Sequence, residues 1–152
     1  MKRHGDTMRR SLASGGRGFR FDHCSSSTSM YSSMTVSEVI RTKRAVRQFS
    51  DEPLSEEAMR TILMAGRRAQ SSKNTQSWHF IAIGDRATLQ QLAECGAYAG
   101  HLARAPFAVA LIASTADSFD LGQAAAYMQL AAWDLGIGSC IASMWGPCLG
   151  DR

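Results

Sequence analysis

Two short stretches of this 152-residue chain hold side chains whose types and spacing suit chemistry. In TKRAVRQF (42–49), Lys43, Arg44 and Arg47 fall within five residues, ahead of a turn bounded by Pro53. Guanidinium forks and backbone N–H groups in an irregular segment match the oxygens of a phosphate. The same cluster also reads as a solvated basic face. In SSKNTQSW (71–78), a polar run closes on an aromatic, and nothing reads as helix or strand before His79. A compact domain usually has only a short polar turn between two strongly patterned segments, so this loop calls for a purpose.

Other chemistries find little footing. Cys24, Cys95, Cys140 and Cys148 show no CxxC spacing and no paired His, which points to reduced thiols in a cytoplasmic protein rather than a metal site or disulfide framework. GIGS (136–139) follows a helix pattern, and Ile141 stands at the third glycine of a dinucleotide fingerprint. GGRG (15–18) lacks the Lys-Ser/Thr of a P-loop. No Ser-His-Asp or Cys-His set follows from spacing.

The elements that must hold these segments alternate. VSEVIRT (36–42) is a short helix candidate. SEEAMRTILMAGRRAQ (55–70) is a stronger one, with Ser55 as N-cap, two Glu in the first turn, and Met59, Ile62, Leu63 and Gly66 on one stripe. HFIAIG (79–84) reads as a buried strand. DRATLQQLAECGAYAG (85–100) reads as a helix capped by Asp85, and FAVALIA (107–113) as a fully buried strand. DLGQAAAYMQLAAWDLG (120–136) is a small-residue helix closed by Gly136, and GSCIASMW (138–145) a further strand or a loop. Helices alternating with apolar strands predict an α/β or α+β domain.

Residues 1–34 differ in texture. They carry six Lys/Arg against two Asp, so the net charge of +4 lies there and residues 35–152 are neutral. Rich in Gly and Ser, this stretch is expected to be a disordered, solvated extension, with the folded domain at 35–152. It has no apolar core of a secretory signal, and Met30 or Met34 could equally start the chain. A nucleic-acid contact through the tail is the lesser alternative, and APFAVALIA (105–113) is too short to span a bilayer. No nucleic-acid or membrane partner is expected.

From VIRTKRAVRQFSDEPL through SSKNTQSWHFIAIGD and APFAVALIA to LAAWDLGIGSCIASMW, the chain resembles the nitroreductase family of FMN-dependent oxidoreductases over roughly residues 36–145. The resemblance implies an α+β fold, with a central sheet flanked by helices, that forms a homodimer with FMN at the interface. NADH or NADPH reduces the flavin, and nitroaromatic, quinone or related small-molecule acceptors then take the electrons in a ping-pong cycle. Asn74 matches the Asn that bonds the pyrimidine edge of the flavin, flanked by Ser72 and Gln76. An amide suits that edge because it both donates and accepts. Lys43 and Arg44 match phosphate and ribityl contacts, and Arg47 the cation near N1 and the C2 carbonyl, where charge gathers on reduction. Ser143 and Met144 match the place where backbone N–H faces N5. Trp78 matches an aromatic that reads best as core.

Several positions depart from the family pattern. Ala45 stands where Ser is common, leaving its N–H but no hydroxyl. Gln70 and Ser77 stand where Pro is common, which predicts a looser loop. Only six residues separate Ala113 from Asp120. GPCLGDR (146–152) resembles none of the family's final strand, phosphate-clamping residues or C-terminal arm, so a C-terminally truncated member is expected. The alternative function is accordingly an impaired member that binds flavin weakly or pairs with a full-length subunit. A relative with another acceptor, such as a deiodinase, is a further flavin-based reading.

Overall fold

The computed structural model describes residues 34–114, 118–142 and 144. The expectations for residues 1–33 and for Ser143 therefore lie outside the described residues. The order of elements is α1 (Val36–Thr42), α2 (Glu56–Arg67), β1 (Trp78–Ile83), α3 (Arg86–Glu94), β2 (Ala108–Ala113) and α4 (Ser118–Asp134), with 3-10 turns at Ser72–Asn74 and Gly100–Arg104.

Local chemistry starts each of the first three helices. Thr35 opens α1 with a capping box: its hydroxyl accepts from Glu38 N–H at 3.3 Å, and Glu38 Oε2 accepts from Thr35 N–H at 2.9 Å. The Thr35 N–H, with the Thr35 hydroxyl donating to Glu38 Oε2 at 2.8 Å, holds the Glu38 carboxyl below its ordinary pKa of 4.5. Ser55 caps α2 by accepting from Ala58 N–H at 3.2 Å. Asp85 caps α3, and the Thr88 hydroxyl and N–H, at 2.6 and 2.8 Å, hold its carboxyl below 3.8. The helix expected at 85–100 stops at Glu94, just before Gly96, where continuation would incur glycine's backbone entropy. Gly136, at φ +75, lies just beyond the end of α4.

β1 and β2 pair antiparallel, Trp78 opposite Ala113 and Phe80 opposite Leu111. One face carries Phe80, Val109 and Leu111 against α2 and α4, where Ile62, Met128 and Ala132 form one buried cluster. A second cluster joins Ala69, Trp78 and Ala124, with Trp78 and Phe80 rings stacked at 6.3 Å. Trp78 is thus core, as its sequence setting suggested. The helices cross closely at Gly66: a methyl there would come within 2.9 Å of Met128 Cγ.

Neither strand is fully buried, contrary to the expectation from their apolar runs. Among the described residues, Ile81 and Ile112 remain 50% and 45% exposed on the opposite face. An antiparallel pair needs to bury only one face, and an unbroken apolar run does not reveal how many faces are covered. The segment 138–145, read as strand or loop, contributes one parallel bridge, Ala45 to Ser139, and no strand among its described residues.

Candidate functional site

The basic segment begins where α1 ends. Lys43 is the C-cap, its N–H returning to Val39 O, and its ψ of 133° turns the chain out of the helix. Its half-buried ammonium donates to Gln129 Oε1 on α4 at 2.9 Å. One position earlier, the Thr42 hydroxyl accepts from Trp133 Nε1 at 3.0 Å. α4 therefore holds the entry to the segment at two points. The Arg44 guanidinium folds back on the chain, its Nη1 donating to Arg41 O and Lys43 O at 3.0 and 2.8 Å. Arg47 is exposed, with no hydrogen bond or ion pair among the described residues.

Ala45 pairs with Ser139, and Val46 N–H donates to Ser139 O at 3.0 Å. Gly138 lets the two backbones meet. A methyl at 138 would lie 2.8–2.9 Å from Cβ, Cγ1 and Cγ2 of Val46, and Cβ is a rigid point that cannot swing away. Beside that bridge, Ser139 Oγ is buried without a hydrogen-bond partner among the described residues. Met144 is half-buried farther along the same segment.

The polar loop is built differently. Lys73, Asn74 and Gln76 have φ of 53°, 56° and 48°, three left-handed residues in four positions. Asn tolerates that region, whereas Lys and Gln hold it at a cost of about 1–2 kcal/mol each. Short ties fix the shape: Asn74 N–H to Ser71 O at 3.0 Å, Thr75 N–H to Ser72 O at 3.1 Å, and Gln76 N–H to Ser71 Oγ at 3.0 Å. The Gln76 amide donates to Asn74 Oδ1 at 2.8 Å, leaving the Asn74 NH₂ free to donate outward. Ser77 O accepts from Ser114 N–H at 2.8 Å and Ser114 Oγ at 2.9 Å. The loop expected to be loose without prolines at 70 and 77 thus has side-chain and backbone ties of its own.

Ser72 connects this loop to α4. Its N–H donates to Asp120 Oδ2 at 2.7 Å, and Asp120 is only 2% exposed. No hydrogen bond or ion pair joins the segment 43–47 directly to the loop 72–76 among the described residues. Their common support is α4, whose Asp120 and Gln129 stand nine residues, about 13 Å, apart along the axis. Sequence reasoning missed Asp120, Gln129, Trp133 and Ser139. A signal for Asp120 was present: Ala124, Met128 and Ala132 form a buried stripe at four-residue spacing. Continued one step back, the stripe lands on a carboxylate.

Residues 40–99, which include both segments, match the nitroreductase family. A protein of Archaeoglobus fulgidus, provisionally named NADH dehydrogenase/NAD(P)H nitroreductase, is 34% identical over 110 residues, 67% of this chain and 63% of its own. Over residues 40–99 this chain is a nitroreductase-family sequence. The nitroreductase fold is seen in solved structures too. An FMN-dependent nitroreductase of Clostridium difficile R20291 is 32% identical, with a TM-score of 0.66, over 69% of this chain and 64% of that one. A provisionally named nitroreductase of Desulfovibrio desulfuricans, solved in complex with FMN, is 29% identical with a TM-score of 0.64, over 72% and 68%. The chain spans a little under two thirds of the length of the Archaeoglobus and Clostridium relatives. No described helix is long and apolar enough to cross a membrane.

Proposed function

We propose that this chain works as an FMN-dependent oxidoreductase that takes electrons from NADH or NADPH and passes them to nitroaromatic, quinone or related acceptors. The observation that carries the reading is the mounting of both candidate segments on α4: the cationic one through Lys43 and Gln129, the amide-bearing one through Ser72 and Asp120. FMN, when bound, supplies a two-electron carrier between donor and acceptor.

The residues present fit that cofactor. Its phosphate needs fixed cations, and its ring needs an amide and a charge near N1. Lys43 keeps two of its three ammonium donors after bonding Gln129, and Arg44 keeps the donors beyond Nη1. Arg47 is exposed and unpaired among the described residues. The Ser139 hydroxyl, buried without a hydrogen-bond partner among the described residues, belongs to the residue that bridges to Ala45. In this reading Lys43 and Arg44 hold the phosphate and ribityl chain, and Ser72, Asn74 and Gln76 orient the pyrimidine edge. Arg47 stabilises negative charge at N1, while Ser143 and Met144 line the N5 side.

Homodimerisation is part of the same proposal. α1 exposes Val36 and Ile40 at 73% and 63%, beside a surface cleft lined by Met34, Val39, Leu130 and Ala131. Apolar faces of this kind suit a second copy. The test is FMN titration of the purified chain, followed by anaerobic reduction with NADH and NADPH and reoxidation by a nitroaromatic or a quinone. Expected are one FMN per chain, a dimer by light scattering, and parallel double-reciprocal plots. Absence of FMN binding with cofactor in excess overturns the proposal.

A further inference from the structure

The 72–76 loop holds a conformation that its own sequence disfavours. Left-handed backbone at Lys73, Asn74 and Gln76 crowds each Cβ against its carbonyl, and no glycine relieves it. The backbone N–H groups of Asn74, Thr75 and Gln76 all donate to Ser71 or Ser72, and the Gln76 side chain to Asn74. They close the loop on itself without fixing it to the rest of the protein. Ser72 makes that connection through its N–H, at 2.7 Å from Asp120 Oδ2, with its hydroxyl 3.4 Å from Oδ1.

Asp120 is well suited to act as such an anchor. It is the buried charged residue of the described chain, on the α4 stripe with Ala124, Met128 and Ala132, so helix packing fixes where its carboxylate sits. A charge-assisted bond to a backbone N–H is shorter and stronger than a neutral one. A buried carboxylate that lost such a donor would be left short of hydrogen bonds, so loop and carboxylate each favour the other's placement.

We propose that Asp120 is the positioning residue of the flavin loop: its carboxylate holds Ser72, and through Ser72 the left-handed turn that presents Asn74, without touching the cofactor. The proposal rests on the reading of Asn74 as a flavin contact.

The test uses the full chain as wild type, Asp120→Ala, Asp120→Asn and Asn74→Ala. Two measurements are made, amide hydrogen exchange without cofactor and FMN titration. In the wild type, the Ser72 and Gln76 amides should be protected although both residues are exposed. In Asp120→Ala, exchange over 72–77 should quicken about tenfold while α2 amides hold, and FMN affinity should fall roughly tenfold. Asp120→Asn keeps an acceptor for Ser72 N–H and should stay within about threefold of wild type. Unprotected Ser72 in the wild type overturns the proposal even if Asp120→Ala does not fold. So does unchanged loop exchange in Asp120→Ala, or an unchanged FMN affinity there when Asn74→Ala weakens binding. If Asn74→Ala itself leaves FMN affinity unchanged, the flavin reading of the loop falls first and the positioning role with it.

Discussion

Val46 donates its backbone N–H to Ser139 O at 3.0 Å, joining the cationic segment after α1 to the segment after α4. Ser139 lies 93 positions after Val46, yet the two segments form a single parallel bridge at Ala45 and Ser139. That contact decides which way the residues following Lys43 run. Together with the Lys43–Gln129 and Thr42–Trp133 bonds, it turns a flexible basic stretch into one with a fixed course.

Gly138→Ala should break this bridge. The new methyl would lie within 2.9 Å of Val46 Cβ, closer than side chains approach in folded proteins. Overpacking of this kind costs about 1–3 kcal/mol, so a lower denaturation midpoint is expected, with faster exchange at Val46 N–H. Unchanged stability and unchanged Val46 exchange would show that the bridge is not formed in solution.

On the proposed flavin reading, Asn74→Ala should weaken FMN binding by about 1–3 kcal/mol, because it would leave a polar group of the ring edge unmet. The Gln76 amide would also lose its acceptor at Asn74 Oδ1. Circular dichroism should remain that of the parent. A flavin affinity equal to wild type in titration would remove Asn74 from the site.

Under the proposed placement of Arg47 beside N1, Arg47→Gln keeps donors but removes that charge. Reduction places negative charge there, so the reduced cofactor should lose more binding energy than the oxidised one, and the midpoint potential should fall. A differential loss of about 1.4 kcal/mol corresponds to about 30 mV for a two-electron couple. A potential that stays constant while FMN still binds would place Arg47 elsewhere.

Acid should loosen α1 and α3 first. Hydrogen bonds from Thr35 hold Glu38 below 4.5, and those from Thr88 hold Asp85 below 3.8. For carboxyls depressed by folding, the stabilisation is present above the unfolded pKa and fades as pH falls through the folded one. The α1 cap amides should therefore lose protection as pH falls below 4.5 and those of α3 below 3.8, and Glu38→Gln with Asp85→Asn should flatten that dependence. If the double variant shows the same acid profile, the caps do not govern it.

Much of the fold was legible in local chemistry. Ser55 and Asp85 announce their helices because an N-cap needs only a side-chain oxygen and the next few N–H groups. The Ala-rich α4 and Trp78 as core could be read from apolar content alone. Thr35 and Glu38 also spell a capping box, a signal that lies wholly within four residues. The two segments with candidate chemistry were visible for the same reason: their residue types are unusual for a turn.

What the sequence could not determine depends on partners distant along the chain. The exposure of Ile81 and Ile112 follows from which sheet face α2 and α4 cover, and periodicity is silent on that when both faces are apolar. Ser139 is ordinary in sequence and becomes singular only where Gly138 admits Val46. Asp120 looks like a first-turn acid that complements the helix dipole. Only packing turns it inward, and only the fold brings Ser72, 48 residues away, to within 2.7 Å of its carboxylate. Local rules set the elements, because capping and patterning energies arise within a few residues. The arrangement of the site on α4 was decided by tertiary structure, because burial and long-range hydrogen bonds exist only once the helices have packed.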